Sequence, residues 1–437
     1  MSLEEAKNIT SSVVKSLLES LASVESLEDD GTLEAVINPS SCSKIYVHRW
    51  YYLKESYSPW LINKLVSKRI INEPKLSLLD PFCGAGSSLL GAQWENITSI
   101  GVDINPFFVF VSKVKSNWYL YDPSKVKEFY NKIKDLNTNA KAEISPPLLS
   151  SFRRLYDPKT LNELLLIKEK ILEVKDELYR NLYLLALSAI LEPASLAKKD
   201  GKGLKIVRTK PLASAKELFL AKLEEIIEDL IKLKSLLTPH GKARVDVYCE
   251  DSRELKSVAD ESVDAVVFSP PYLNTFDYTE VYKLELWFLD FIRNYFEFRK
   301  LRERTLRSHN LVQWKETRYW HSEELDKIVN YIRRKKLWSD IIPIMIRGYF
   351  DDMYLTFKQL YRVMKEGTVA IVVGNSAYAG LVIPVDLLLL KMAQDVGFKP
   401  KKLIQIRFLG TSSQQLRIIK ELGLRNLLRE SVITFVK

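Results

Sequence analysis

The stretch that decides the fold is Leu76-Ser-Leu-Leu-Asp80-Pro-Phe-Cys-Gly-Ala-Gly86-Ser-Ser88. Leu76 to Leu79 read as a buried strand that runs into a glycine turn, with a helix starting at about Ser87. Gly84 and Gly86 carry no Cβ, so the backbone can turn tightly there and approach a ligand. Asp80 falls at the carboxyl end of the strand, where open α/β sheets bind ligands. The next apolar run, Ile97-Thr-Ser-Ile-Gly-Val-Asp103, also ends in a carboxylate, the usual partner of ribose hydroxyls on a neighbouring strand. The pair of strand ends predicts a nucleotide-like cofactor lying across them.

The chemistry of the turn narrows the cofactor. A dinucleotide fingerprint needs a third glycine, where this chain has Leu89. A phosphate loop needs a lysine after its last glycine, and none follows Gly86. An acid in the turn repels phosphates but suits the ammonium group of an amino acid. That combination fits S-adenosylmethionine.

Far downstream, Ser262-Val-Asp-Ala-Val-Val-Phe268 reads as a further buried strand, delivering Ser269-Pro270-Pro271-Tyr272 at its tip. Asp80-Pro-Phe-Cys-Gly-Ala-Gly86 closely resembles the cofactor motif of DNA amino-methyltransferases, and Gly101-Val-Asp-Ile-Asn-Pro106 resembles their second motif. Ser269 to Tyr272 resemble the catalytic motif of the cytosine-N4 branch, and the likeness runs from about Tyr46 to Lys437. The resemblance implies a Rossmann-like class I methyltransferase: an α/β fold with a seven-stranded, mostly parallel sheet, a closing antiparallel hairpin and an inserted helical lobe. It also implies S-adenosylmethionine as cofactor, held by Asp80, Pro81, Phe82, Cys83, Gly84, Ala85, Gly86, Asp103 and Ile104. A motif just upstream folds back over the cofactor's methionine end in similar enzymes, and Ser58 and Trp60 stand in that place here. Asp251 and Ser252, after the strand Ala243 to Cys249, stand where similar enzymes read the adenine amino group. The cofactor motif precedes the catalytic one, an order that only some DNA amino-methyltransferases share.

The four catalytic-motif residues suit methylation of an exocyclic amine. The amine's lone pair is delocalised into the ring, and hydrogen-bond acceptors on its hydrogens draw it toward sp³. Ser269 Oγ and the Pro270 carbonyl supply two acceptors, with Pro271 helping to hold that carbonyl rigid. Tyr272 offers a flat face to a base taken out of the stack. Methylation at cytosine C5 needs a cysteine nucleophile after a proline; Cys42, Cys83 and Cys249 follow Ser, Phe and Tyr.

Composition agrees with a large soluble protein that meets a polyanion. The 437 residues are 46% hydrophobic and 27% charged, with a net charge of +10. Three dispersed cysteines and four histidines show neither disulfide nor metal-ligand spacing. With no signal peptide and no apolar run long enough for a bilayer, the expectation is a cytoplasmic protein without metal or membrane partner.

Four regions follow along the chain. Residues 1–37 read as a helical appendage, a helix from about Leu3 to Leu27. Residues 38–119 and 241–437 form the catalytic domain, with Tyr278 to Ile292 as one amphipathic helix. Lys402–Phe408 and Ser431–Phe435 form its hairpin at the sheet edge. Residues 120–240 are Lys-, Glu- and Leu-rich at helical spacing, an inserted lobe and candidate DNA-recognition region that contains a basic loop with Lys198, Lys199, Lys202 and Lys205. Residues 293–338 mix aromatics with Arg299, Arg302, Arg304 and Arg307. Both basic stretches suit phosphate contacts along double-stranded DNA, or else are solvated charge runs. The function expected is site-specific methylation of cytosine N4 in duplex DNA, with a cognate restriction enzyme as a compatible partner. Adenine-N6 or RNA base methylation on the same scaffold, or non-catalytic nucleic-acid binding, are the alternatives. The recognition sequence and the oligomeric state are not legible in the chain.

Overall fold

The computed structural model describes residues 3–68, 70–71, 76–149, 152–201, 203–210, 213–236 and 243–437. Its centre is a mixed sheet of eight strands: β1 (Glu25–Glu28), β2 (Ser77–Asp80), β3 (Thr98–Asp103), β4 (Val245–Cys249), β5 (Val263–Phe268), β6 (Met364–Gly374), β7 (Lys399–Phe408) and β8 (Arg429–Val436). In space they run β1-β7-β8-β6-β5-β2-β3-β4. Only β8 is antiparallel to its neighbours, between β6 and β7. The chain winds outward from β2 through β3 to β4, then restarts on the other side with β5 and β6. The reversal between β2 and β5 is a topological switch point, where doubly wound sheets bind ligands beyond their carboxyl ends.

Strand periodicity of two sorts the core. Leu79, Val266, Phe268, Val369, Ile371 and Val373 face one apolar cluster, with the helices Leu3–Ser20, Ile342–Val363 and Val385–Val396. Leu78, Ala265, Val267, Ala370 and Val372 face the other, beneath the helix Trp60–Ser67. A third cluster joins the helix Pro106–Ser116 to the helices of residues 123–236 and to residues 276–301. The helices of 123–236 start on matched signals. Asp122 and Asp157 cap backbone N–H groups just ahead of prolines at the first helical position, and Asp176 caps the next helix without one. This lobe therefore shares its core with the catalytic sheet's own helix.

Several expectations need correction. The sheet has eight strands, not seven, and the expected helix to Leu27 stops at Ser20. Glu25–Glu28 instead pairs in parallel with β7, Glu25 opposite Lys402. The serines and Val24 weaken the helix locally, while the β7 edge offers unpaired backbone groups. The hairpin of β7 and β8 is thus covered at its edge, and its connection contains a helix, Ser413–Glu421. The expected helix Tyr278–Ile292 is two short helices, Tyr278–Val281 and Lys283–Phe288, broken at Tyr282. The Tyr282 hydroxyl donates to Glu55 at 2.5 Å and its ring packs on Phe108, so tertiary contacts set the break. The basic loop is an antiparallel hairpin, Ala197–Asp200 with Gly203–Ile206. No helix among the described residues is long and apolar enough to cross a membrane.

Candidate active site

The ends of β2, β3, β4 and β5 open into one cleft. Asp80, Pro81, Phe82, Cys83, Gly84 and Ala85 line it from β2, Asp103 and Ile104 from β3, Asp251 and Ser252 from β4, and Ser269 and Pro271 from β5. Local geometry explains the convergence. Gly84 and Gly86 take left-handed φ of 50° and 81°, and a Cβ on Gly86 would meet Ser112 Oγ at 3.0 Å. A Cβ on Gly101, in β3, would press Leu89 at 2.5 Å and Cys83 at 3.0 Å, so that glycine lets the turn lie flat against the strand.

Both carboxylates are buried and heavily bonded. Asp80 accepts from Phe82 N at 2.9 Å, from the Tyr57 hydroxyl at 3.3 Å and, very closely, from Ser88 Oγ. Asp103 accepts from Gly84 N at 3.0 Å and from Asn105 N at 2.8 Å. Loss of solvent pushes Asp80 up to about 7 and Asp103 up to about 6, against these hydrogen bonds, with Asp103's charge adding to the rise at Asp80. Among the described residues neither carboxylate forms an ion pair. Asn105 Nδ2 and Ser87 Oγ are buried in the same lining without a hydrogen-bond partner. The cleft thus holds two carboxylates without ion pairs among the described residues, beside orphaned polar atoms, which fits a cationic, hydroxyl-bearing ligand.

Not every expected residue reaches the cleft. Ser58 is buried with its Oγ accepting from Trp60 N at 3.2 Å, and Trp60 is 46% exposed, its ring against Trp94. The segment does fold back on the cleft, but through Leu53, Glu55, Ser56 and Tyr57. Trp60 opens a helix, and the helical turn carries it outward. Gly86 lies one residue behind the lining, and Asp251 is gripped by Arg253 at 2.6 and 2.8 Å. Arg253, Phe108, Tyr278 and Arg304 line the cleft without having been expected there for the cofactor. Asn105 lines it too, and unlike these four it has a local signal, since it lies inside the second motif.

Pro270 and Tyr272 face the other way, into a second pocket that shares Ser269, Glu55, Tyr57, Phe276 and Tyr278 with the first. Tyr272 donates its hydroxyl to Glu430 Oε1 at 2.8 Å, and Arg407 Nε donates to Glu430 Oε2 at 2.6 Å. No cysteine lines this second pocket: Cys42 and Cys83 are buried, with desolvation holding the Cys83 thiol well above its usual range, and Cys249 is exposed.

The basic residues separate into two kinds. Lys198, Lys205 and Arg299 are exposed, and Arg304 is exposed at the cleft. Lys199 is turned inward onto Glu285 at 2.5 Å and Tyr51 at 3.2 Å. Arg302 pairs with Asp277 at 2.7 Å and Glu280 at 2.8 Å. Arg307 grips Asp352 through Nη2 at 2.8 Å and Nε at 3.0 Å, and donates to Thr317. These three are structural cations, a role their sequence neighbours do not betray because the acids come from other elements. Lys202 lies outside the described residues. No group of His, Cys, Asp and Glu among the described residues is arranged to hold a metal ion.

Comparison with known proteins identifies the family. The chain is 30% identical over 434 residues to the Type II methyltransferase M.BsoBI of Geobacillus stearothermophilus, covering 87% of this chain and 84% of the relative. The chain belongs to the Type II methyltransferases. The M.AvaI enzymes of Nostoc sp. and Anabaena variabilis, of the same description, are each 27% identical, over 84% of this chain and 83% of theirs. No family model matches. Among solved structures, a geranyl diphosphate methyltransferase in complex with GPP and sinefungin aligns over 99% of this chain, and 98% of its own, with 8% identity and a TM-score of 0.31. This Type II methyltransferase is a DNA-methylating enzyme, and S-adenosylmethionine is its methyl donor.

Proposed function

We propose that this Type II methyltransferase transfers the methyl group to N4 of a cytosine extruded from duplex DNA. The observation that carries the proposal is the place of Ser269-Pro270-Pro271-Tyr272: at the tip of β5, on the partition between a cleft suited to the methyl donor and a second pocket lined by aromatic side chains.

In this reading the first cleft holds the donor. Asp80 takes its ammonium group and Asp103 its ribose hydroxyls, while Asn105 Nδ2 and Ser87 Oγ are orphaned polar atoms available to it. Asp251 and Ser252 border its adenine. S-adenosylmethionine supplies a methyl group on a sulfonium that is already electrophilic. The protein's task is then to aim the nucleophile. Ser269 Oγ and the Pro270 carbonyl accept from the two amine hydrogens and turn the nitrogen lone pair out of conjugation. Proximity and alignment supply most of the acceleration. Tyr272, fixed by Glu430, stands beside the base in its pocket. Lys198, Lys205, Arg299 and Arg304 remain as exposed cations for DNA phosphates.

The test follows labelled methyl transfer from the donor into unmethylated duplex DNA, its single strands and RNA. Duplex DNA should be the preferred acceptor. Ser269→Ala should keep donor affinity while lowering transfer by about two decades, because the acceptor acts mainly in the transition state. Labelling of RNA alone, or an unimpaired Ser269→Ala enzyme, would overturn the proposal.

A further inference from the structure

The second pocket contains a feature that donor binding does not use. Arg407 lines it, and Arg407 Nε is spent on Glu430. Among the described residues its two terminal nitrogens make no hydrogen bond. Glu430 is itself buried, with one oxygen holding Arg407 and the other holding the Tyr272 hydroxyl. One carboxylate therefore fixes a catalytic-motif residue and a guanidinium together, and leaves two unspent terminal nitrogens on a side chain that lines the pocket. The backbone is built to this end. β7 carries a bulge here: Gln405 is opposite Ser431 and Arg407 opposite Glu430, so that two steps along β7 match one along β8. Bulges re-aim side chains, and they recur beside active sites.

We infer that Arg407 reads the 2-carbonyl and N3 of the target cytosine, and so selects a pyrimidine of that pattern as the methyl acceptor. The inference rests on the cytosine-N4 reading above. Along its pairing edge cytosine presents an amine, then the ring acceptor N3, then the carbonyl O2. Ser269 and Pro270 offer acceptors to the amine, and Arg407 offers paired donors to the two acceptors beside it. Adenine presents an amine and one ring acceptor, but a C–H where cytosine has its carbonyl. It would leave a desolvated guanidinium N–H without a partner, the kind of loss by which polar sites reject analogues strongly. Thymine presents an N–H and a carbonyl to the wrong partners. Glu430 acts as a positioning residue for Arg407 and Tyr272.

The experiment is a cycle on protein and substrate. The target cytosine in a duplex is replaced by a 2-aminopyridine C-nucleoside, which keeps the amine and ring nitrogen and lacks the 2-carbonyl. Single-turnover methyl transfer at pH 8 is measured for wild type and Arg407→Gln on both substrates, with donor affinity as a check of folding. On cytosine, Arg407→Gln should lose about a hundredfold in rate with donor affinity within about twofold. On the analogue, it should lose at least tenfold less, because the partner it would have read is gone; dividing the ratios cancels the analogue's different intrinsic reactivity. Equal losses on both substrates, or an unimpaired variant on cytosine, would overturn the assignment. If Arg407→Gln does not fold, Arg407→Lys, which keeps a charge against Glu430, gives the same cycle. Should the wild-type enzyme make no N4-methylcytosine, the underlying reading fails in the wild-type arm, and this inference falls with it.

Discussion

With the donor placed as proposed, the buried carboxylates should make its binding titrate in an accessible range. An ammonium against Asp80 would favour the ionised form, so donor binding should expel a proton wherever the free enzyme holds one. Asp80 is pushed up to about 7 and Asp103 to about 6. At pH 5 about one Asp80 in a hundred would be ionised and about one Asp103 in ten, so affinity should fall by up to about three decades between pH 8 and pH 5. Titration calorimetry at half-unit steps, in buffers of different ionisation heat, reads both the affinity and the proton released. Asp80→Asn should bind weakly at pH 8 and vary less with pH. The same physics has a cost for the free enzyme. A carboxyl whose pKa is raised by folding holds its proton longer in the folded chain than in the unfolded one. Its contribution to stability is therefore lost as pH rises from about 4 toward 7. Without the donor, Asp80→Asn should melt higher than wild type at pH 8, with the gap closing toward pH 4. Donor affinity that is flat from pH 8 to pH 5 in folded protein would refute the reasoning.

Other predictions follow from specific contacts. A Cβ on Gly374 would meet Tyr272 Cε2 at 2.8 Å and Leu409 Cδ1 at 2.7 Å, so Gly374→Val should cut methyl transfer at least tenfold while donor affinity holds, as single-turnover assays and calorimetry can check. Replacing Lys198, Lys205 and Arg299 with Ala should flatten the dependence of log DNA affinity on log salt by up to about three, measured by fluorescence anisotropy. Arg307→Ala should act on folding, because it removes the guanidinium from buried Asp352 and leaves it the backbone N–H of residue 307 and Arg253; the expected loss is about 3–5 kcal/mol in denaturant melts, with an unchanged salt slope.

What the sequence revealed and concealed follows from the range of the interactions. Asp80, Asp103 and Ser269 were legible because a strand followed by a turn is a local pattern, and the topology carries its tip to the sheet's carboxyl end. Asn105 lies within a motif, but its orphaned amide is visible only once burial is known. The edge strand Glu25–Glu28 was hidden because its partner lies far along the chain, at Lys402 to Gln405. The basic stretches misled for the same reason. Lys199 and Glu285 are 86 residues apart and Arg307 and Asp352 are 45 apart, so a run that looks free in sequence is neutralised in space. The upstream segment comes back to the cleft through Leu53, Glu55, Ser56 and Tyr57 and not through Ser58 or Trp60, because which side chains point inward depends on where the helix at Trp60 begins.

The central claim is that Ser269-Pro270-Pro271-Tyr272 directs the methyl group to the exocyclic nitrogen of cytosine. It is tested most directly by the identity of the product. Unmethylated duplex DNA is treated with the enzyme and S-adenosylmethionine, digested to nucleosides, and analysed by mass spectrometry against authentic standards. N4-methyldeoxycytidine should appear, and should be lost with Ser269→Ala. The isomeric 5-methyldeoxycytidine, or N6-methyldeoxyadenosine in its place, would contradict the account.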